Sequence, residues 1–395
     1  MEFLKPEKIV FDVNKTLAAF EKKHLTLSWS SYDAAKTCEG LWFVRTFAKP
    51  SEKYPTAPIQ REGSRSIPGT ILQRLFESFV NDRIFNRPNF LYMGDILRWA
   101  EMNLEALFHL SAFRVDQQFE PEFKWTKDYF QKAHGFQKMK EIRDKYKLDP
   151  VFKSVELSFI DWDIFNSVYG SKENLLKRLK DMLPKILELF LEQKINLMST
   201  LSEVYLRVEH GPFTLTGNVD FIHNKENPIE FLDIKNIQDG YEVFDGKYNL
   251  SAYVKDEQLK FYSALIYKGY KKIPGRMFFL EWSKGKTKDV SFSQDYVQSF
   301  QEDLNKIQQR GIEISHFLKS NMGTDLDVFG ANFLKLSADK SSCTYCPGVE
   351  FCPSAKEKGI TVFKASEQTL LKKETMRDIL SKGVDPFRSV KDITL

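Results

Sequence analysis

A mixed α/β (α+β) fold is what this 395-residue sequence predicts, and three observations carry that expectation. Three runs rich in strand formers, "EVYLRVEH", "FTLTGNVDFIHN" and "PIEFLDIKNI", follow one another with Gly/Pro and Asn/Lys/Glu turns between them. A helical pattern, "DEQLKFYSALIYKG", and a further strand, "GRMFFLEWS", come next. Ahead of them, residues 86–200 hold amphipathic helical stretches, so helices and strands must share a core.

Taken in order, "LTLSWSSYDAAKTCEGLWFVRTF" has Ser and Asp before an Ala-containing stretch, which predicts a short capped helix leading to Cys38. Residues 49–68 combine Pro, Ser and charge and read as a loop. In "PGTILQRLFESFVNDRIF", Ile71, Leu72, Leu75, Phe76 and Phe79 recur at helical spacing, with Pro68 tolerated in the first turn. "GDILRWAEMNLEALFHLSAF" and "KENLLKRLKDMLPKILELFLEQKINLM" continue the helical block, the second with a kink expected at Pro184. After the strands, "DVSFSQDYVQSFQEDLNKIQQRG" predicts a strand and a long helix, and the segment beyond Cys352 reads as a Lys-rich helical tail. The organisation expected is 1–85 as an N-terminal segment, 86–200 as a helical insertion, 201–335 as the core and 336–395 as a cysteine cluster with its tail.

Composition bounds the function. Hydrophobic residues make up 42% and charged residues 28%, as in a folded globular chain. No apolar run is long enough to span a membrane, and "MEFLKPEKIVFDVNKTL" lacks a signal-like pattern, so a cytoplasmic or nucleoid-associated protein is expected. The net charge of +4 neither requires nor opposes a nucleic-acid partner. There is no G-x-x-x-x-G-K-[ST] loop, no G-x-G-x-x-G after a strand and no G-x-S-x-G elbow, which disfavours a nucleotide-driven motor and a serine hydrolase.

The chemistry concentrates in "GNVDFIHNKENPIEFLDIKN". Strand side chains alternate faces, so Phe231, Asp233 and Lys235 share one face while Leu232 and Ile234 take the other. Asp220, one strand earlier, can converge on Asp233 once the chain turns at "NKEN". Two carboxylates with water and a phosphate suit Mg²⁺ or Mn²⁺, and a lysine beside them can orient water and offset charge on a phosphate. Taken alone, Asp233-x-Lys235 reads more readily as a surface ion pair. Gln258 and Tyr262 stand one helical turn apart in "QLKFY", on a common face.

Together these residues resemble the RecB-like branch of the PD-(D/E)XK nuclease superfamily, whose CRISPR-associated and AddB-type members are exonucleases. The resemblance implies a restriction-endonuclease-like mixed central sheet flanked by helices. It also implies Asp220 and Asp233 as metal ligands, Lys235 as the catalytic lysine, and Gln258 and Tyr262 as the supporting helix motif. The family's first motif, commonly Gly-x-x-x-His and then a helical acid, falls on "GTILQRLFE", where Gln73 replaces the histidine and Glu77 is the acid; either is the candidate third ligand.

Cys343, Cys346 and Cys352 in "CTYCPGVEFC" suit zinc or an iron–sulfur cluster, with Cys38 as the remaining cysteine. "LSWSSYDAAKTCEG" resembles the N-terminal entrance of iron–sulfur RecB-like nucleases. That likeness implies a [4Fe–4S] cluster, with zinc the weaker choice, pinning the chain ends into a cap; Glu39 stands where proline is common. The function expected is a metal-dependent DNA nuclease, a single-strand exonuclease, that works with a helicase or another protein partner. The alternative is a catalytically weak DNA-binding or assembly subunit, with Gln73 as its mark. The 86–200 block is expected either to gate DNA or to cover one face of the sheet.

Overall fold

A computed structural model of the chain describes residues 8–49, 51, 67–81, 92–114, 140–152, 158–160, 162–196, 199–226, 228–235, 256–281, 286–338, 343, 346, 348–349 and 351–360. Its N-terminal part runs β1 (Val10–Asp12), α1 (Val13–Lys23), β2 (Thr26–Ser28), α2 (Trp29–Thr37) and α3 (Glu39–Thr46). Helices α4 (Ile67–Asn81) and α5 (Met93–Ser111), strands β3 (Ala112–Arg114) and β4 (Ser158–Ile160), and helices α6 (Trp162–Tyr169) and α7 (Lys172–Glu192) follow. Then come β5 (Leu201–His210), β6 (Phe213–Asn224), β7 (Ile229–Lys235), α8 (Asp256–Leu265), β8 (Pro274–Glu281), β9 (Lys286–Val290), α9 (Gln294–Ser320), β10 (Asp325–Asp327) and α10 (Pro353–Glu357).

Local chemistry sets several helix starts. Side chains of Asp12, Ser28, Ser171 and Ser293 accept from backbone N–H groups of Lys15, Ser31, Asn174 and Tyr296, satisfying first-turn donors of α1, α2, α7 and α9. The loop expected over 49–68 and the tail after Cys352 lie largely outside the described residues; only α10 and the turn after it are seen of the tail. Pro184 sits inside α7, which continues through it on the strength of a buried leucine-rich face.

The central sheet is mixed, with six strands. Its path is β2-β6-β7-β8-β9, and β5 pairs with β6 along the opposite edge. Strands β5, β6 and β7 are antiparallel neighbours, as the turns predicted; Gly211 takes φ +57 at the first turn, and Asn224 closes the second by bonding Pro228 O and Glu226 N. Strands β7 and β8 are parallel, and α8 lies between them in sequence. The arrangement is restriction-endonuclease-like, a mixed sheet flanked by helices.

Each face of the sheet has its own core. On one face lie α1–α3, α8 and α9 with Phe231, Phe279, Val219 and Leu215, reaching the four cysteines. On the other lie α4–α7 with Phe221, Leu232, Phe278 and Leu280. Helix α4 thus packs with the helical block, through Ile71, Leu72, Leu75, Phe76 and Phe79, each burial stabilising by roughly 1.5–3 kcal/mol. The helical block therefore covers one face of the sheet.

Candidate active site

Strand β7 places its side chains as its alternation requires: Leu232 and Ile234 join the helical-block core, while Phe231 is in the opposite core. Asp233 and Lys235 follow Phe231 on that same side. Lys235 Nζ stands 2.5 Å from Asp233 Oδ2 and 5.9 Å from the ring centre of Phe279 on β8. Asp233 is 1% exposed. Its Oδ2 has no hydrogen-bond partner, so the ion pair with Lys235 is the compensation on that oxygen.

Asp220 reaches the same place from β6. The β6–β7 ladder pairs Phe221 with Leu232, so the next step sets Asp220 opposite Asp233. There the Asp220 side chain replaces the ladder: its Oδ2 accepts from Ile234 N at 2.9 Å. Helix α8 approaches over Gly217, where a Cβ would stand 2.7 Å from the Tyr262 ring, so only glycine lets the tyrosine lie against the strand. Gln258 Nε2 donates to Tyr262 Oη at 3.2 Å. Asp220, Asp233, Lys235, Gln258 and Tyr262 are therefore gathered at one place.

The electrostatics of the group are strained. Burial, and then the charge of Asp233, push the Asp220 carboxyl well above the usual carboxylate range, against the pull of Lys235 and Ile234 N. Burial disfavours the Lys235 charge, yet Asp233 and Asp220 outweigh it and hold its pKa above the ordinary lysine value. Tyr262 is raised by burial and by Asp233, with Asp220 and Glu203 adding to it. The raised Asp220 pKa reflects the cost of setting two carboxylates beside a single ammonium, and hard oxygen donors so placed fit a divalent cation such as Mg²⁺ or Mn²⁺.

A family model for the PD-(D/E)XK nuclease superfamily matches residues 26–353, most of the chain. The chain belongs to that superfamily. It is accordingly a nuclease, of a family whose members use Mg²⁺ or Mn²⁺ on DNA. No curated protein matches. A solved structure titled "Crystal structure of SSO0001" is similar at 15% identity and a TM-score of 0.24, covering 49% of this chain and 81% of that one. Among the described residues no helix is long and apolar enough to cross a membrane.

Of the two first-motif candidates in this PD-(D/E)XK chain, Gln73 is directed to the strands and Glu77 is paired along its own helix. Gln73 Nε2 donates to Glu203 Oε1 at 2.5 Å, while Glu77 Oε2 lies 3.3 Å from Arg74. Glu203 is a residue the sequence reading missed, since a glutamate at the start of a strand carries no distinguishing signal. Gly217 was missed as well, although a glycine inside a strand marks close backbone approach and could have pointed to it.

The four cysteines line one small cavity with Gly40, Leu41, Phe329, Ala338 and Val349. Burial and the three neighbouring cysteines push the Cys346 thiol up to about 12. Glu39, next to Cys38, accepts from Arg310 Nε at 2.7 Å and from Lys335 N at 2.7 Å, tying the Cys38 segment to α9 and to the chain beyond it. Among the described residues, no group of three or more His, Cys, Asp or Glu is disposed as a finished metal site.

Proposed function

We propose that this chain cleaves DNA phosphodiesters at the Asp220–Asp233–Lys235 centre as a RecB-like member of its superfamily, acting on single strands from an end. The observation that carries the reading is the gathering of those three side chains at the end of the β6–β7 ladder, with Lys235 Nζ 2.5 Å from Asp233. Asp220 and Asp233 would hold Mg²⁺ or Mn²⁺, which when bound supplies a polarised phosphate oxygen and a more acidic water. Lys235, fixed by Asp233, orients the attacking water and meets the charge that develops on the phosphate as the water oxygen bonds to phosphorus and the P–O bond to the leaving sugar breaks. Tyr262, braced by Gln258 and seated on Gly217, holds the floor of this site.

The four cysteines are proposed to hold a [4Fe–4S] cluster. Support comes from their common cavity and from the soft sulfur donors it presents. The cluster would be structural, since joining Cys38 to Cys343 closes a loop of roughly 300 residues. Anaerobically purified protein is then brown and holds iron and sulfide, whereas stoichiometric zinc in a colourless protein overturns the assignment.

The nuclease reading is tested with labelled single-stranded and duplex DNA, free or blocked at either end, with Mn²⁺ or Mg²⁺. Wild type should degrade single strands from a free end and Lys235→Ala should not. If wild type and Asp233→Ala both leave every substrate intact while binding it, the chain is a non-catalytic DNA-binding subunit.

A further inference from the structure

Asp220 has acidic neighbours on both sides. On β7 its register partner is Asp233; on β5 it falls opposite Glu203, between the pairs Ser202 with Phe221 and Val204 with Val219. Three acidic residues therefore occupy one register row across three adjacent strands, and the charges of all three bear on the buried Tyr262. The row also marks a break in the sheet. Val219 belongs to one core and Phe221 to the other, so the side-chain alternation of β6 slips at Asp220. Directly across, Glu203 has φ +50, a left-handed conformation that a side chain other than glycine adopts only when its surroundings enforce it.

The neighbours of Glu203 do not account for that backbone. Its bond from Gln73 is one any regular strand residue could accept from an adjacent helix. The charge balance points to a further role for its carboxylate. Across the row stand three acids and one ammonium, Lys235, which is already engaged by Asp233 Oδ2. Of the two first-motif residues, the neutral Gln73 is the poorer ligand for a hard cation, and it is engaged as a donor. One amide bond uses a single lone pair of a carboxylate, which leaves the group competent to bind a cation.

We propose that Glu203 is a metal-binding carboxylate of this centre, completing with Asp220 and Asp233 the oxygen set for a divalent ion, and that Gln73 is the positioning residue that holds Glu203. The inference rests on the proposed metal-dependent reading of the same site. It moves the third acid from the helix, where the family pattern seeks it, to the strand beside Asp220. Water and phosphate oxygens fill the remaining positions, as is usual for Mg²⁺ and Mn²⁺, so the three acids need not form a closed cage.

The test is Mn²⁺ titration of the full-length protein, by calorimetry and by the loss of free-ion electron paramagnetic resonance signal. Wild type, Glu203→Gln, Glu203→Gly, Gln73→Ala and Asp220→Asn are compared, each with its metal-free melting curve. Glu203→Gln and Glu203→Gly should bind Mn²⁺ at least about tenfold more weakly, and Gln73→Ala should lose less. Glu203→Gly should also melt at or above the wild-type temperature without metal, because glycine accepts φ +50 freely. Wild-type Mn²⁺ affinity in both Glu203 variants, with binding lost in Asp220→Asn, overturns the role of Glu203 and leaves the nuclease reading standing. Undiminished binding in Asp220→Asn as well overturns both.

Discussion

The two faces of the central sheet solve different problems with the same strands. Toward the helical block, Phe221, Leu232, Phe278 and Leu280 meet α4–α7 with apolar side chains, and His223 and Arg276 stand against the Phe278 ring. Toward the other side, the residues that alternate with them include Asp233 and Lys235, charged groups set beside Phe231 and Phe279. The first face gains stability from burial, and the second gives some of it up to keep ionisable groups where water is scarce. A strand can do both because its period of two separates the tasks onto alternate residues.

The largest effect expected is on the charged face. Lys235→Ala should lower cleavage per folded molecule by about 10³-fold, well beyond the stability lost when the buried Asp233 is left without its ammonium partner. A parallel assay of binding to the same DNA shows whether the loss lies in the chemical step. On the apolar face the pattern should invert. Leu232→Ala, at a position fully buried between Phe221 and Phe278, should cost about 2–5 kcal/mol of stability in denaturant unfolding while leaving cleavage per folded molecule near wild type. Equal loss of both properties in both variants would erase the proposed division between the faces.

Gly217→Ala bridges the two cases. Its new methyl must displace the Tyr262 ring, which stands 2.7 Å from the Cβ position, for about 1–3 kcal/mol of stability. Because Tyr262 lies over the acids, cleavage should fall too, by more than stability alone explains. Restoration by a second change, Tyr262→Phe, is not expected, since the ring remains.

The smallest effect concerns His223, on β6 beside the ring of Phe278. Burial lowers its pKa, which Arg276 reinforces and Glu230 opposes. Below about pH 6.5 the unfolded chain protonates an ordinary imidazole while the folded chain resists doing so. The stabilising contribution is therefore complete above that pH and is lost as pH falls toward the folded pKa. Melting temperature measured from pH 7.5 down to 5 should decline less steeply in His223→Phe than in wild type.

Much of this was legible in the sequence because the signals were local. Strands β5, β6 and β7 announced themselves by alternation and by turns at Gly211 and Asn224, and α4 by its stripe from Ile71 to Phe79. The gathering of Asp220, Asp233 and Lys235 followed from hairpin geometry. What escaped depended on distant partners. Strands β1, β2 and β10 are three residues each and exist only because β10, β6 and β1 lie alongside them. The φ of Glu203 could not be read from a residue type that normally avoids it, and the link from Glu39 to Arg310 joins side chains far apart in the chain. Placing α4 with the helical block depended on tertiary packing that its stripe could not specify.

The short pairing of β1 with β10 bears on how the protein is made. Val10 has no strand partner until Asp327 has been synthesised, and Leu27 waits for Leu215. During synthesis β1 and β2 must therefore wait without their strand partners while the helices and the sheet are translated, leaving apolar residues such as Phe11 and Leu27 incompletely covered and open to chaperones or aggregation in the interval. Any cofactor seated among the cysteines would have to be delivered after Cys352 has been made, to a site whose Cys38 and 343–352 segments have only just met.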